Sequence, residues 1–377
     1  MQFHPFELER FLSEYEQTVE YNFTESGVHP VTLGKLLAMA GDDAGALLET
    51  PLNYPHVNGT PLLRQRIAAR YPGADEENVL VTVGASEANL LAATTLLQPG
   101  DEIVTTRPTY LQFGGIARNM GVTVRTVDLL EAEGWALDLD GLKRVVTART
   151  KVLAVVNPNN PTGHIFTPAE MDAVVDAARR ANAWLLADEV YAGAEREQAE
   201  ETPTFYGRYE KLIALNSLSK AYGLPGLRIG WMVGPAETIQ ALWRRHEYAA
   251  VSASMLGNKL AELALSPAVR PQLIARTRGL IRDGYDVLTE HLARHPGVFS
   301  VVAPQASALS FVHYHLPMGS TEFAKALRAS KSVLMVPGDA FGLDDHLRIQ
   351  SALPLDYLEA GLTRFDEFIA DIGGHHD

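Results

Sequence analysis

Lys220 sits in NSLSKAYGLPGLRIG, residues 216–230, among small residues and glycines, and Arg228 follows eight positions later. A lysine in a glycine-bordered, partly desolvated pocket has its pKa lowered, because burial penalises the ammonium more than the amine. The neutral amine attacks carbonyl carbon, and small neighbours such as Ser217 and Ser219 leave it room to swing. Four other turns carry chemistry of comparable promise. Gly84-Ala85-Ser86, after VLVTV, is a glycine turn into a helix whose amides and serine hydroxyl can hold an anion. Tyr110, in RPTY after EIVTT, puts an aromatic ring on a proline-stiffened turn, where it can stack on a flat ligand. NPNNPTG, residues 157–163, holds Asn160 between two Asn-Pro steps, and a turn alone does not require three asparagines. Asp188 opens DEVY directly after the apolar WLLA, where a carboxylate is costly to bury unless a cation meets it. Each has a plainer reading: a helix cap at Ser86 or Asp188, a half-buried tyrosine, a rigid turn, a surface lysine.

One ligand unites the five turns: a flat aromatic aldehyde bearing a phosphate, a phenolic oxygen and a ring nitrogen. Pyridoxal phosphate fits, its aldehyde held by a lysine as a Schiff base and its pyridinium paired to a carboxylate. Ligands of open α/β sheets sit at the carboxyl ends of the strands, so the turns must share one sheet edge. The runs VLVTV (79–83), EIVTT (102–106), VTVRT (122–126), KVLAVV (151–156), WLLA (184–187), LIAL (212–215) and IGWMV (229–233) are mostly β-branched or leucine-rich and continuously apolar. That pattern predicts strands covered on both faces. Helical patterns alternate with them; 168–181 opens with Thr167 as cap, Pro168 at the first position and Glu170 three beyond the cap. The expectation is an α/β large domain over 46–285, with a mostly parallel seven-stranded sheet flanked by helices. Residues 286–377, with strands such as SALSFVHYH (307–315), predict a smaller α+β domain that includes 1–45. A first helix over 6–19, with Leu8, Phe11, Leu12, Tyr15 and Val19 on one face, is expected to pack there.

Composition narrows the partners. At 377 residues, 46% hydrophobic and 21% charged, the chain has a globular composition long enough for two domains. Forty-six acids against 32 bases give a net charge of −14, which disfavours nucleic acid and anionic membrane surfaces. The absence of cysteine excludes disulfides and thiolate chemistry. MQFHPFELERFL lacks the charge and apolar pattern of a leader, and no apolar run approaches a membrane span, so a cytoplasmic location is expected. The tail His375-His376-Asp377 has metal-donor atoms but reads as a frayed terminus, so no metal site is expected.

NPNNPTG, DEVY and SLSKAYGLPGLRIGW, in that order, resemble the fold-type I pyridoxal-phosphate enzymes of the class I/II aminotransferase family over nearly the whole chain. The resemblance implies an aspartate-aminotransferase-like fold, with Lys220 as the Schiff-base lysine and Asp188 at the pyridine nitrogen. It implies that Tyr191 and Asn160 hydrogen-bond the phenolic oxygen and that Tyr110 covers the ring face. Gly84, Ala85, Ser86, Ser217, Ser219 and Arg228 would surround the phosphate, with Tyr54 of NYPHVNG reaching in from a second subunit of a homodimer. Arg348 in HLRIQSA would clamp the substrate α-carboxylate, although the family's usual wording is nearer R-I-S-F-A. An L-amino acid and a 2-oxo acid are the implied substrates. LERFLSEYEQTVEYNFTESGVHP with TLGKL is similar to the start of a family member that cyclises a hydroxylated arginine. That likeness implies His29 at the mouth of the active site and an arginine-like substrate for a cyclase, eliminase or oxidase. Glu14 could meet a guanidinium or pair with Arg10 four positions earlier.

Overall fold

A computed structural model describes residues 3–41 and 44–373. Its main sheet has eight strands: β1 (Val79–Thr82), β2 (Glu102–Arg107), β3 (Thr123–Leu130), β4 (Ala136–Leu137), β5 (Thr150–Val156), β6 (Trp184–Asp188), β7 (Leu212–Ser217) and β8 (Gly230–Val233). Seven are the apolar runs read from the sequence. The eighth, β4, is a two-residue edge strand too short to leave a periodic signal. The spatial order is β1-β8-β7-β6-β5-β2-β3-β4. The inner neighbours from β7 through β3 run parallel, whereas β8 is antiparallel to both β1 and β7, and β4 to β3.

The continuously apolar strands follow from burial on both faces. Val79, Val81, Leu153, Val155, Leu185, Ala187, Leu212 and Ala214 pack on one side with Met171 and Val174 of the helix Pro168–Ala181. Leu80, Ile103, Val152, Ala154, Leu186, Ile213 and Leu215 pack on the other with Ala88 and Leu91 of the helix Gly84–Leu96. The period-2 alternation thus divides two hydrophobic layers rather than core from water. The helix at 168–181 starts as the sequence predicts: Pro168 occupies the first turn and Thr167 with Glu170 closes a capping box.

A second sheet of four strands, Phe299–Val301, Leu309–Tyr314, His346–Gln350 and Val336–Pro337, surrounds its own core of Phe323, Leu347, Ile349, Phe365 and neighbours. The helix Arg270–Ala293 runs between the two regions, with Leu273 in the core of the first and Leu288 in that of the second. Glu131, just beyond β3, reaches His346 of the second sheet at 3.2 Å, a polar tie between them.

The N-terminal helix α1 spans Glu7–Tyr15 rather than 6–19. Thr18 ends it by donating its backbone N–H and its hydroxyl to the Tyr15 carbonyl, which an uninterrupted helix would use further on. It does not pack on the smaller region alone. Leu8 joins the large core and Phe6 lies 5.7 Å from Tyr110, while Tyr15 meets the Arg328 guanidinium at 4.0 Å. Among the described residues no helix is long and apolar enough to cross a membrane.

Candidate active site

The five turns converge on one cleft at the carboxyl ends of β1, β2, β5, β6 and β7, with a volume of about 230 Å³. Ala85, Ser86, Tyr110, Asn160, Asp188, Tyr191, Ser217, Ser219, Lys220 and Arg228 all line it.

One end of the cleft is built to hold an anion. Gly84 opens its helix at φ +73°, and a Cβ there would run into the Arg228 guanidinium, so the turn needs glycine on both counts. Arg228 Nη1 donates to Ser219 Oγ at 3.3 Å and to the Pro225 carbonyl at 3.1 Å. Its guanidinium is otherwise exposed beside the Ser86 and Ser217 hydroxyls that line the same cleft.

The other end holds a buried acid. Asp188 is 8% exposed and makes no ion pair among the described residues. Burial pushes its carboxyl up to about 7, against the opposing effects of the Val190 amide, the Lys220 amine and the Asn89 amide. A cationic ring nitrogen would satisfy it. Lys220 shifts the opposite way: desolvation lowers its pKa, Glu25 resists that, and Arg348 adds to it. Its Nζ donates to Ser26 Oγ at 2.7 Å.

The three asparagines of NPNNPTG divide the work. Asn157 Oδ1 accepts from the Phe166 amide at 2.8 Å, and Asn159 Oδ1 accepts from the Thr162 amide and hydroxyl at 3.2 and 2.9 Å. Both maintain the turn. Asn160 faces the cleft, where its Nδ2 donates to the Tyr191 hydroxyl at 3.2 Å and its Oδ1 accepts from Arg348 Nη1 at 3.3 Å. Burial pushes the Tyr191 hydroxyl up to about 12, so it stays protonated as a donor across the neutral range. An anion site, a buried unpaired acid, a desolvated amine and two donors in one cleft fit pyridoxal phosphate.

Arg348 is 2% exposed beneath the Asn160 turn, on a strand of the second sheet. Its Nη2 donates to the Thr24 carbonyl at 2.6 Å, its Nε has no partner among the described residues, and the Phe341 ring lies 5.4 Å from it. The remaining sequence candidates lie apart. Tyr54 is 81% exposed and outside this protomer's cleft. Glu14 is exposed and accepts from Arg10 Nε at 2.8 Å, the i, i+4 alternative. His29 is exposed and does not line the cleft; its carbonyl accepts from Arg276 Nη2 at 2.8 Å, and burial followed by Arg276 lowers its imidazole pKa. His375, His376 and Asp377 lie outside the described residues.

Sequence reasoning missed Glu9, Glu25, Ser26, Asn89 and Gln112, all of which line the cleft. Gly27 carries the one local hint: a Cβ there would come within 2.8 Å of the Ser219 carbonyl oxygen, so the N-terminal segment presses on the lysine loop. Glu9 and Glu25 leave no such mark.

Comparison with known proteins gives the same fold and cofactor. A family model described as aminotransferase class I and II matches residues 40–365. The chain is 31% identical to capreomycidine synthase of Streptomyces vinaceus, over 98% of this chain and 94% of the synthase. A crystal structure of a PLP-dependent aminotransferase from Streptococcus suis superposes with a TM-score of 0.92 at 30% identity, covering 98% of this chain and 99% of that one. The PLP-dependent cyclase OrfR superposes at 0.88 with 27% identity, covering 99% and 98%.

Proposed function

The chain belongs to the aminotransferase class I and II family and takes pyridoxal phosphate, and from that premise we propose that it moves an amino group from an L-amino acid to a 2-oxo acid. The observation that carries this reading is the pair Lys220 and Asp188: one cleft holds an amine shifted down and an acid shifted up. When bound, the cofactor supplies an electron sink that makes the substrate Cα–H acidic.

The protein's groups do the rest. Lys220 would hold the aldehyde, and its Nζ, whose pKa burial lowers, would move the proton at the substrate Cα. Asp188 would keep the ring nitrogen protonated. Tyr191 and Asn160 would donate to the ring's phenolic oxygen, and Tyr110 would cover the ring face. Ser86, Ser217, Ser219, Arg228 and the turn at Gly84 and Ala85 hold the phosphate. Arg348 takes the substrate α-carboxylate through its planar fork.

The active unit we propose is a homodimer. Leu48, Leu52 and Tyr54 are all exposed on one short stretch, an apolar surface suited to a second copy of this chain and able to carry Tyr54 to the partner's phosphate end. The two sheets support separate regions at 46–285 and 286–377, and we assign 1–45 to the smaller one through Phe23 although Leu8, Leu36 and Leu37 join the large core.

A second reading has its own support in the likeness to capreomycidine synthase and to OrfR over nearly the full chain. In it the same Cα deprotonation leads to cyclisation, elimination or oxidation. Incubation of the holoenzyme with 15N-labelled amino acids and a 2-oxo acid separates the two. Label recovered in the new amino acid supports transfer. Ammonia release or oxygen uptake without that product overturns it in favour of the second reading.

A further inference from the structure

The described charges of the cleft are Lys220, Arg228 and, behind Asn160, Arg348 on the cationic side, and Asp188, Glu9 and Glu25 on the anionic side. Under the reading above, the cofactor and the α-carboxylate engage the three cations and Asp188. Glu9 and Glu25 are left over. Neither forms an ion pair among the described residues. Glu9 Oε1 accepts only from the Tyr110 hydroxyl, at 3.0 Å, and Glu25 has no hydrogen-bond partner among the described residues. Both lie on the N-terminal segment that forms the outer wall, and Glu25 is next to Ser26, which holds Lys220. Glu16 belongs to the same gathering: burial raises its carboxyl pKa, and Glu25 and then Glu9 raise it further.

Like charges so placed repel one another unless a cation comes between them. Among the described residues the cations that act on them are Lys220 and Arg348, which the reading above assigns to the cofactor and the α-carboxylate, and Arg10 on the same helix bonds Glu14 instead. We propose that Glu9 and Glu25 form the side-chain subsite and select an amino acid whose side chain ends in a cation, an ammonium or a guanidinium. The substrate is then held at both ends, its α-carboxylate by Arg348 and its distal cation by the two glutamates. Neither glutamate moves a proton in the reaction. They act on binding and orientation.

This inference rests on the amino-acid reading of the cleft, and the test keeps the two apart. The holoenzyme is titrated with L-arginine, its neutral isostere L-citrulline, L-lysine and L-norleucine, following cofactor absorbance and initial rates. The expected result is a kcat/KM for arginine or lysine at least roughly tenfold above its neutral counterpart, carried by KM. The arginine and lysine arms distinguish a planar guanidinium from a compact ammonium. Glu9→Gln and Glu25→Gln should each cut that preference several-fold while the neutral substrates change little. Retained cofactor absorbance certifies that the variants fold. Equal use of citrulline and arginine together with equal use of norleucine and lysine, or preferences untouched by both substitutions, overturns the subsite. No response to any amino acid overturns the functional reading itself.

Discussion

The two walls of the cleft are made differently. The inner wall consists of turns at strand ends: Asn157–Gly163 after β5, Asp188 at the end of β6, and Ser217–Lys220 after β7. Asn160, Asp188, Tyr191 and Ser217 are all buried there, and most of their partners are within the same sheet edge. The outer wall is the N-terminal segment, whose Glu9 and Glu25 are exposed and whose anchors are spread over both regions: Leu8 and Val28 in the large core, Phe23 in the small one, Tyr21 and Asn22 paired with Val333 and Leu334, and hydrogen bonds that include Asn119, Gly223, Arg348 and Gln350. The contrast teaches a division of labour. On the proposed assignments, groups that handle the cofactor are preorganised by the sheet, and groups that meet the variable part of the substrate lie on a segment tied to both regions.

If the inner wall carries the chemistry, damage there must be largest. Lys220→Ala should lower turnover by on the order of a thousandfold or more and abolish the visible absorbance of the lysine-linked cofactor. Persistence of that band would place the linkage on another residue and break the comparison at its centre.

Asp188→Asn should cost on the order of a hundredfold in turnover, since the ring nitrogen loses its partner. It also has a signature in the cofactor-free protein. Burial raises the Asp188 pKa to about 7, above its ordinary 3.8, so between those values the folded state binds more protons than the unfolded one. Stability from this group is therefore present at low pH and lost as pH rises from about 4 to 7. Glu189, also pushed up to about 7 by burial, adds to the loss in the same window, so the measurement must be a difference. Denaturant melts of cofactor-free wild type and Asp188→Asn should converge near pH 4, with the variant more stable by a few kcal/mol at pH 8. A wild type that gains on the variant over that range would mean the carboxylate is not desolvated.

Arg348 joins the walls, because its guanidinium meets Asn160 of one and the Thr24 carbonyl of the other. Arg348→Lys keeps the charge but loses the fork, and should cost about 2 kcal/mol, roughly thirtyfold in kcat/KM, mostly through KM. A fall confined to kcat would move Arg348 from carboxylate binding to support of Asn160.

The same contrast explains what could be read in advance. The seven main strands, the capping box at Thr167 and Glu170, and the turns bearing Asn160, Asp188 and Lys220 were legible because local pattern and local chemistry coincide: an apolar run ends and a polar group follows it. The two-residue β4 is too short for periodicity. The end of α1 is marked by Thr18, whose backbone N–H and hydroxyl both donate to the Tyr15 carbonyl, a local contact that helix periodicity does not reveal. Glu9 and Glu25 were invisible because their place is set by where a distant segment docks, more than 180 positions from Lys220. From the helix pattern alone Glu14 was as eligible as Glu9, since both lie on the polar face of α1.

Ser26 gives the mildest test and the sharpest one for the outer wall. Its hydroxyl accepts from Lys220 Nζ at 2.7 Å, from a segment that Gly27 keeps close to the Ser219 carbonyl. Ser26→Ala removes that acceptor without adding bulk, and the freed Nζ stays within a cleft wide enough to rehydrate it. The expected change is a few-fold in turnover, about 1 kcal/mol, with the acidic limb of the pH profile displaced, because an acceptor that favours the ammonium is gone. Loss of that acceptor lowers the Lys220 pKa further and should extend activity toward lower pH. An unchanged profile with an unchanged rate would show that the N-terminal segment only covers the lysine, and a collapse as deep as that of Lys220→Ala would erase the distinction between the walls.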